Sequence, residues 1–281
     1  MENKLESPVT YQGGKSRIAS KIIDIIISRN DVEDMKFYDL CCGSGAITLE
    51  CINRDLSFSE YRMLDFSVWG DFWKSIGDGN FLIDIFKIYV DNLPKEKENI
   101  QKYLLSMSNE SPYDGVFLSH VYRYLLLQAG SFGGKQIYIE DGKWKNNSFR
   151  SYWLPTEKSN RRSPVNPMMP MPITLYKRVE VLWSELHTNI IGENSNIEDY
   201  VEFSDNSIVY VDPPYKNTTK YGNTFDILDW VKKVKQNNDV RIYVSEQYPL
   251  GEDSFLISDK RNKGNISGEN NKGVAEWLTE F

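Results

Sequence analysis

A glycine turn between two short apolar segments constrains the fold of this chain more than any other feature. Residues 36–40 have the composition of a buried strand and run directly into the turn at residues 43–45. Residues 46–53 then have a helical pattern, and a second strand-like segment, residues 61–64, ends at Asp65. This succession of strand, glycine turn, helix, strand and acid is typical of a nucleotide-binding α/β unit.

Signals of the same α/β type occur near both ends of the chain. Residues 15–28 are rich in apolar side chains and predict a buried helix. β-branched and aromatic side chains predict strands at residues 207–211 and 240–245. We therefore expect one Rossmann-like α/β sheet, formed jointly by residues 1–66 and 191–281.

The middle of the chain, residues 67–190, has a different pattern. Residues 68–128 show helical periodicity. Asp141-Gly142 lies between two strand-like runs and is a strong signal for a two-residue hairpin, whereas the prolines of residues 155–172 predict an irregular connection. The aromatic side chains that we expect to form the core of this stretch are Phe72, Trp73, Phe81 and Phe86. The sequence thus predicts an α-rich, hairpin-bearing insert.

Charge is distributed unevenly along the chain. The whole sequence of 281 residues has a formal net charge of −7, which argues against a polyanionic partner on average. Residues 135–178, however, contain nine basic and three acidic residues. Such a segment suggests a local phosphate-binding surface on an otherwise acidic protein. A basic loop that is merely solvated is the alternative.

The cysteines and the hydropathy of the chain indicate in which cellular compartment the protein is expected. Cys41, Cys42 and Cys51 lie in one short segment with no second ligand cluster, so neither a disulfide framework nor a zinc site is expected. No apolar run is long enough to span a bilayer, and the N-terminus has no secretion signal. We expect a cytoplasmic protein that uses no metal and contacts no membrane.

The sequence Asp212-Pro213-Pro214-Tyr215 suggests a particular chemistry. The exocyclic amine of a nucleobase is a poor nucleophile because its lone pair is delocalised into the ring. A carboxylate and a rigidly held carbonyl can accept hydrogen bonds from both amine protons and so favour a pyramidal, nucleophilic nitrogen. Tyr215 offers a flat face for a base taken out of the duplex. An ordinary proline turn with a surface Asp is the alternative.

The glycine turn and Asp65 together suggest an adenosine-containing cofactor. Gly43 and Gly45 allow a ligand to approach the backbone closely, and the following helix offers unpaired N–H groups at its N-terminus. Asp65 is placed to accept hydrogen bonds from ribose hydroxyls. A tight strand–helix turn beside an unrelated acid would give the same pattern.

Gly14-Lys15-Ser16 near the N-terminus superficially matches a phosphate-binding loop. The motif requires a further glycine where this chain has Val9, and no strand precedes the segment. We therefore reject an NTPase. Lys15 would instead pair with a carboxylate or a backbone carbonyl near the cofactor, and a polar turn before a helix is the alternative.

Three motifs in this order resemble the Dam family of adenine-specific DNA methyltransferases. They are an aromatic residue followed by Gly-Gly-Lys at residues 11–15, an acid followed by Gly-Ser-Gly at residues 39–45, and Asp-Pro-Pro-Tyr at residues 212–215. The resemblance extends from Tyr11 to about Pro249. It implies a Rossmann-like, S-adenosylmethionine-dependent methyltransferase sheet and methyl transfer to the exocyclic amine of a flipped adenine in duplex DNA.

The resemblance also assigns roles to single residues. Asp39 and Gly43 would hold the methionine part of S-adenosylmethionine, Asp65 its ribose, and Asp199 would lie near its adenine. The full set of implied cofactor-binding residues is Tyr11, Lys15, Asp39, Gly43, Gly45, Asp65 and Asp199. The implied catalytic residues are Asp212, Pro213, Pro214 and Tyr215. Leu40-Cys41 departs from the Pro-Phe of the family.

The predicted hairpin and the loop before it are the candidates for contact with DNA. A two-stranded ribbon fits the major groove, where Lys, Arg and Asn side chains can contact base edges. The candidates are Phe132, Lys135, Lys143, Lys145, Asn146, Asn147 and Arg150. Contact with phosphates alone, or plain solvation, is the alternative for each of them. The segment 127–134 lacks the Asn and Arg of the family, so no recognition sequence is carried over.

Other functions remain open at this stage. Methylation of the cytosine exocyclic amine uses similar chemistry, although such enzymes more often have Ser or Thr in place of Asp212. A catalytically silent DNA-binding relative is a second alternative, and it need not bind S-adenosylmethionine. We expect a monomer.

Overall fold

The computed structural model describes residues 4–9, 13–94, 97–150, 171–213, 225–259, 263–264, 270–271 and 275–281. The helices are α1 (Ala19–Arg29), α2 (Ala46–Asn53), α3 (Val68–Gly77), α4 (Ile83–Asp91), α5 (Lys97–Asn109), α6 (Ser119–Gly130), α7 (Pro172–Leu186) and α8 (Ile227–Asn237). The strands are β1 (Lys36–Leu40), β2 (Glu60–Asp65), β3 (Tyr138–Glu140), β4 (Lys143–Lys145), β5 (Ile191–Asn194), β6 (Ser207–Val211), β7 (Arg241–Glu246), β8 (Ser254–Ser258), β9 (Lys263–Gly264), β10 (Asn270–Asn271) and β11 (Glu276–Glu280).

Seven strands form one sheet in the order β5-β2-β1-β6-β7-β11-β8. Strand β1 pairs in parallel with β2 and β6, and β6 pairs in parallel with β7. Strand β11 is antiparallel to both β7 and β8. The carboxyl ends of parallel strands meet at one edge of a sheet, which is where α/β proteins bind ligands. The predicted fold class, an α/β fold with a Rossmann-like and mostly parallel sheet, is confirmed.

The chain divides into two compact units. One unit comprises Met1–Gly14 and Ser67–Asn194, and the other comprises Lys15–Phe66 and Ser195–Phe281. The resemblance to the Dam family gives the insert a target-recognition role, which stays a prediction.

The core of the second unit is built by alternation along its strands. Ile208 packs with Phe37 and with Ile22 of α1, whereas Val209, the next residue, packs with Trp230 of α8. Successive side chains of a strand point to opposite faces of a sheet, so helices cover both faces. All five residues of β6 are buried, as expected for a strand of a parallel sheet covered on both sides. Burying each large apolar side chain contributes about 1.5–3 kcal/mol.

The core of the first unit is aromatic. Phe72, Trp73, Phe81 and Phe86 are all buried, which confirms the prediction that they form the core of the insert. Their rings meet mostly edge to face, as between Phe72 and Phe81, whose centroids lie 5.6 Å apart. Within the described part of the chain, no helix is both long and apolar enough to cross a bilayer.

The predicted hairpin is confirmed. Strands β3 and β4 pair antiparallel around Asp141 and Gly142, which have φ values of 52° and 67°. Two left-handed residues in succession are the requirement of a tight two-residue hairpin turn. Trp144 and Phe149, which flank the turn on its C-terminal side, are buried and pack within the unit.

The structure differs from the expectations from sequence in two respects, and one predicted segment lies mostly outside the described residues. The first helix was expected at residues 15–28, but α1 begins only at Ala19, because the backbone from Lys15 to Ile18 forms a turn closed by hydrogen bonds to the Lys15 carbonyl. Strands β5, β8 and β11 were not expected from the sequence. Most of the proline-rich segment 155–172 lies outside the described residues.

Candidate cofactor-binding and catalytic site

The glycine turn after β1 has the backbone that its residues suggest. Gly43 and Gly45 have φ values of 51° and 75°, in the left-handed region that favours glycine. Gly45 is the N-cap of α2, and its N–H donates to the carbonyl of Cys42. The turn therefore leads directly into a helix N-terminus, where backbone N–H groups favour a negatively charged or polar ligand group.

Asp39 is a buried carboxylate that fixes the start of α2. One of its oxygens, Oδ2, accepts hydrogen bonds from the Thr48 backbone N–H at 3.2 Å and from the Thr48 hydroxyl at 2.8 Å. Thr48 lies in the first turn of α2, where backbone N–H groups have no partner inside the helix. Asp39 thus caps this helix from the neighbouring strand.

The second oxygen of Asp39 is the feature that most suggests a ligand. Asp39 is only 1% exposed, and its Oδ1 has no hydrogen-bond partner among the described residues. Burial raises the pKa of Asp39 to about 7; the bonds from Thr48 oppose this, and the charges of Asp212 and Asp65 add to it. A buried carboxylate oxygen without a partner is costly, so it fits the cationic amino group of S-adenosylmethionine.

Asp65 supports the glycine turn from the end of β2. Its Oδ2 accepts a hydrogen bond from the Gly43 N–H at 2.8 Å. The sequence predicted this acid as a ribose ligand, and that role stays a prediction. The bond to Gly43 shows a second role: Asp65 holds the turn in place.

The residue after Asp65 is also unusual. Phe66 is 64% exposed despite its size.

Lys15 and Asp212 form an ion pair at the end of β6. The Lys15 Nζ lies 2.7 Å from the Asp212 Oδ1 and 3.4 Å from the Glu276 Oε1, and Lys15 is only 7% exposed. The Asp212 N–H donates to the Leu40 carbonyl at 3.2 Å, so the pairing of β1 and β6 continues to the first residue of the motif. The expectation that Lys15 pairs with a carboxylate is confirmed.

The electrostatics of Asp212 follow from its position. Burial raises the pKa of Asp212, the ion pair with Lys15 opposes this rise, and the charge of Asp65 adds to it. Lys15 therefore favours the ionised carboxylate in a site whose low polarity disfavours it. An ionised carboxylate of raised pKa is a strong hydrogen-bond acceptor.

Glu276 is the member of this cluster that sequence reasoning missed. It lies at the start of β11, far from Lys15 in sequence. Its approach to Lys15 depends on the insertion of β11 between β7 and β8, which is a non-local event. An acid at the start of a strand-like segment was the only local signal.

The other predicted site residues are placed as follows. Asp199 is exposed and is the last residue of a short 3-10 helix, Ile197–Asp199. The Trp230 indole N–H donates to the Ile197 carbonyl at 2.9 Å and so supports this short helix. Pro213 is buried. Tyr11, Pro214 and Tyr215 lie outside the described residues, and their roles stay predictions.

The predicted DNA-binding residues share the hairpin region of the first unit but differ in exposure. Those that are exposed are Phe132, Lys135, Lys143 and Asn147. Lys145 pairs with Glu140 at 3.4 Å, the Asn146 side chain donates to the Gln136 carbonyl at 2.6 Å, and Arg150 is buried. The exposed residues can reach a partner directly, whereas the other three already have structural contacts.

Two side chains beneath this region hold the exposed loop. The Gln128 amide donates to the Lys135 carbonyl at 3.0 Å and accepts from the Ile137 N–H at 2.8 Å. The Ser131 hydroxyl donates to the same Lys135 carbonyl at 2.7 Å. Phe132 is thus presented, 52% exposed, on a loop with a fixed base.

The sheet order and the glycine turn define the class: an α/β protein with a Rossmann-like sheet. Among solved structures, the chain is similar to two structures of the rRNA methyltransferase aviRa from Streptomyces viridochromogenes, determined at 1.5 Å and 2.4 Å. The identities are 11% and 10% and the TM-scores 0.41 and 0.40, with 94% of this chain and 84% of that chain covered in each case. No protein-family model matches the sequence, and no curated protein does either.

Proposed function

We propose that this protein is a DNA methyltransferase that transfers a methyl group from S-adenosylmethionine to the exocyclic amine of adenine in duplex DNA. The observation that supports this most is the Lys15–Asp212 ion pair at the end of β6, in the same compact unit as the Asp39 and Gly43 turn. The order of these motifs is the one that resembles the Dam family.

S-adenosylmethionine fits the residues at the end of β1. The unpartnered Asp39 Oδ1 suits its amino group, and the α2 N-terminus behind Gly43 and Gly45 offers donors to its carboxylate. Asp65 and Asp199 remain the proposed contacts to ribose and adenine. When bound, the cofactor supplies an electrophilic methyl group.

The Asp212 side chain prepares the acceptor nitrogen. Its carboxylate accepts a hydrogen bond from the adenine amine, and this withdraws the nitrogen lone pair from the ring. The charge of the carboxylate also stabilises the amine as it becomes positive during transfer. One amine proton then leaves to water, and Asp212 returns to its starting state.

The insert is the proposed DNA-binding surface. Lys135 and Lys143 are exposed cations on the segment of excess positive charge, and Asn147 is an exposed amide beside them. Lysines bind phosphates and amides bind base edges, so this combination suits a nucleic acid better than a protein partner. Duplex DNA is proposed on the resemblance to the Dam family.

The proposal is tested by incubating the purified chain with methyl-deuterated S-adenosylmethionine and unmethylated duplex DNA, followed by nucleoside mass spectrometry. Structured RNA serves as a parallel substrate. Labelled adenine methylated on its exocyclic nitrogen is the expected product in DNA.

Each other outcome overturns part of the proposal. Labelled cytosine would show that the acceptor base is cytosine and not adenine. Label found only in RNA would show that the substrate is RNA and not DNA. Cofactor binding measured by calorimetry, with no label in any nucleoside, would point to a catalytically silent relative.

A further inference from the structure

Lys15 is shared between two carboxylates, and only one of them belongs to the Asp-Pro-Pro-Tyr motif. Its Nζ lies 2.7 Å from the Asp212 Oδ1 and 3.4 Å from the Glu276 Oε1. The side chains of Asp212 and Glu276 are 19% and 15% exposed, so solvent screens neither interaction fully. When all three groups are ionised, the cluster retains one negative charge.

The pairing of β11 with β8 is irregular beside Glu276. Glu276 lies opposite Ser258 and Trp277 lies opposite Leu256, so one extra residue, Ile257, stands on β8 at this point. Irregularities of this kind are frequent beside active sites. Trp277 also pairs with Glu246 of β7.

A second partner for Lys15 has a consequence for Asp212. A lysine that pairs with one carboxylate alone lowers its pKa and weakens it as a hydrogen-bond acceptor. We propose that Glu276 is a positioning residue that shares Lys15 with Asp212 and so keeps the Asp212 carboxylate available to the substrate amine. The effect on the amine rests on the proposed function, whereas the sharing of Lys15 does not.

Other charged and titratable groups also surround Asp212. Asp65 adds to the rise of its pKa, and Asp212 in turn raises the pKa of Asp39 and Tyr210. These groups stay unchanged when Glu276 is replaced. Removal of the Glu276 charge takes one negative partner away from Lys15, so we expect Lys15 to stabilise the ionised Asp212 more strongly and the pKa of Asp212 to fall.

The test is a carbon-13 titration of the aspartate side chains in the full chain without cofactor or DNA. The Asp212 signal is identified by its loss in Asp212→Asn. In Glu276→Gln, the titration midpoint of Asp212 is expected about one pH unit lower than in the wild type. An unchanged or higher midpoint would overturn the inference.

Glu280→Gln is the matched control. Glu280 lies on the same strand as Glu276, it is similarly buried, and it pairs with Arg29 and Arg241. The Asp212 midpoint should not move in this variant. If Glu276→Gln does not fold, Glu276→Asp replaces it, and its shorter side chain should give a smaller shift in the same direction.

Enzymatic measurements separate this inference from the proposed function. In Glu276→Gln, kcat for methyl transfer should fall by up to about tenfold, the limit that one pKa unit sets, while the Kd for S-adenosylmethionine stays the same. An unchanged kcat despite a lowered Asp212 midpoint would overturn the positioning role. A wild-type chain that methylates no nucleic acid refutes the proposed function, and the titration still decides whether Lys15 is shared.

Discussion

Thr48 donates two hydrogen bonds to a single oxygen of Asp39, one from its backbone N–H and one from its hydroxyl. Through this pair, the end of β1 and the start of α2 are joined across the glycine turn. The other Asp39 oxygen is left for a ligand. The threonine thus determines which face of the carboxylate remains open.

Replacement of Thr48 by Val should remove the hydroxyl bond and keep the backbone bond. We expect a loss of about 1–3 kcal/mol in the free energy of unfolding, because Thr48 is fully buried and its carboxylate partner loses a hydrogen bond. The pKa of Asp39 should rise further. Urea unfolding measures the first effect, and Thr48→Ser, which keeps the hydroxyl, should stay near the wild type.

Asp39 should make the stability of the free protein fall with rising pH. Its pKa is about 7 in the folded chain and 3.8 as a model value, so the folded state binds the extra proton between these values. The contribution is largest below pH 4, is lost as pH rises through about 7, and is constant above. In Asp39→Asn this part of the pH dependence should disappear from thermal unfolding curves, while the part from the raised pKa of Asp212 remains. A slope equal to that of the wild type would contradict the assignment.

Cofactor affinity should depend on pH in the opposite direction. A cationic amino group prefers the ionised Asp39, so binding of S-adenosylmethionine should tighten by up to about tenfold per pH unit until pH 7 and then level off. Isothermal titration calorimetry from pH 5.5 to 7.5, where an α-amino group is still mostly cationic, measures this. In Asp39→Asn, binding should be weaker and nearly independent of pH in that range.

Gly43 combines a strained backbone with a close approach to the proposed ligand. Its φ of 51° is unfavourable for a residue with a Cβ atom, so Gly43→Ala should cost about 1–2 kcal/mol of stability. The added methyl group should also weaken S-adenosylmethionine binding at least about tenfold, since only glycine leaves the backbone open there. Gly115→Ala is the control, because Gly115 has a φ of 80° in the first unit and open space around it. It should lose stability without losing cofactor affinity.

Lys143 tests the proposed DNA surface. It is exposed on the hairpin. If Lys143 contacts a phosphate, Lys143→Ala should make the slope of log K for DNA binding against log salt concentration shallower by about one. Fluorescence anisotropy over a range of salt concentrations measures this slope. Lys87→Ala should leave the slope unchanged, because Lys87 lies on α4 and pairs with Asp91. Equal slopes for all three proteins would remove Lys143 from the interface.

Local patterns explain why part of this fold could be predicted from sequence. Residues 36–40 and 207–211 are predicted and observed as strands because short runs rich in aromatic or β-branched side chains favour strands locally. The Asp141-Gly142 turn is encoded by two neighbouring residues. The pairing of Lys15 with an acid follows from a buried cation that needs a partner.

The parts that could not be predicted depend on contacts distant in sequence. Strand β11 is defined by insertion between β7 and β8, and nothing local to residues 276–280 specifies that neighbour. The start of α1 at Ala19 follows from the backbone turn that is closed on the Lys15 carbonyl, which the apolar pattern of residues 15–28 does not reveal. Glu276 could therefore not be recognised as part of the site.

Asp212 carries the proposed chemistry, and single-turnover methyl transfer measures its contribution. Wild type and Asp212→Asn are each saturated with labelled S-adenosylmethionine and mixed with duplex DNA, and labelled adenine is counted over time. We predict that the variant binds the cofactor about as well as the wild type but transfers the methyl group at least about a hundredfold more slowly. Equal transfer rates in the two proteins would contradict the account.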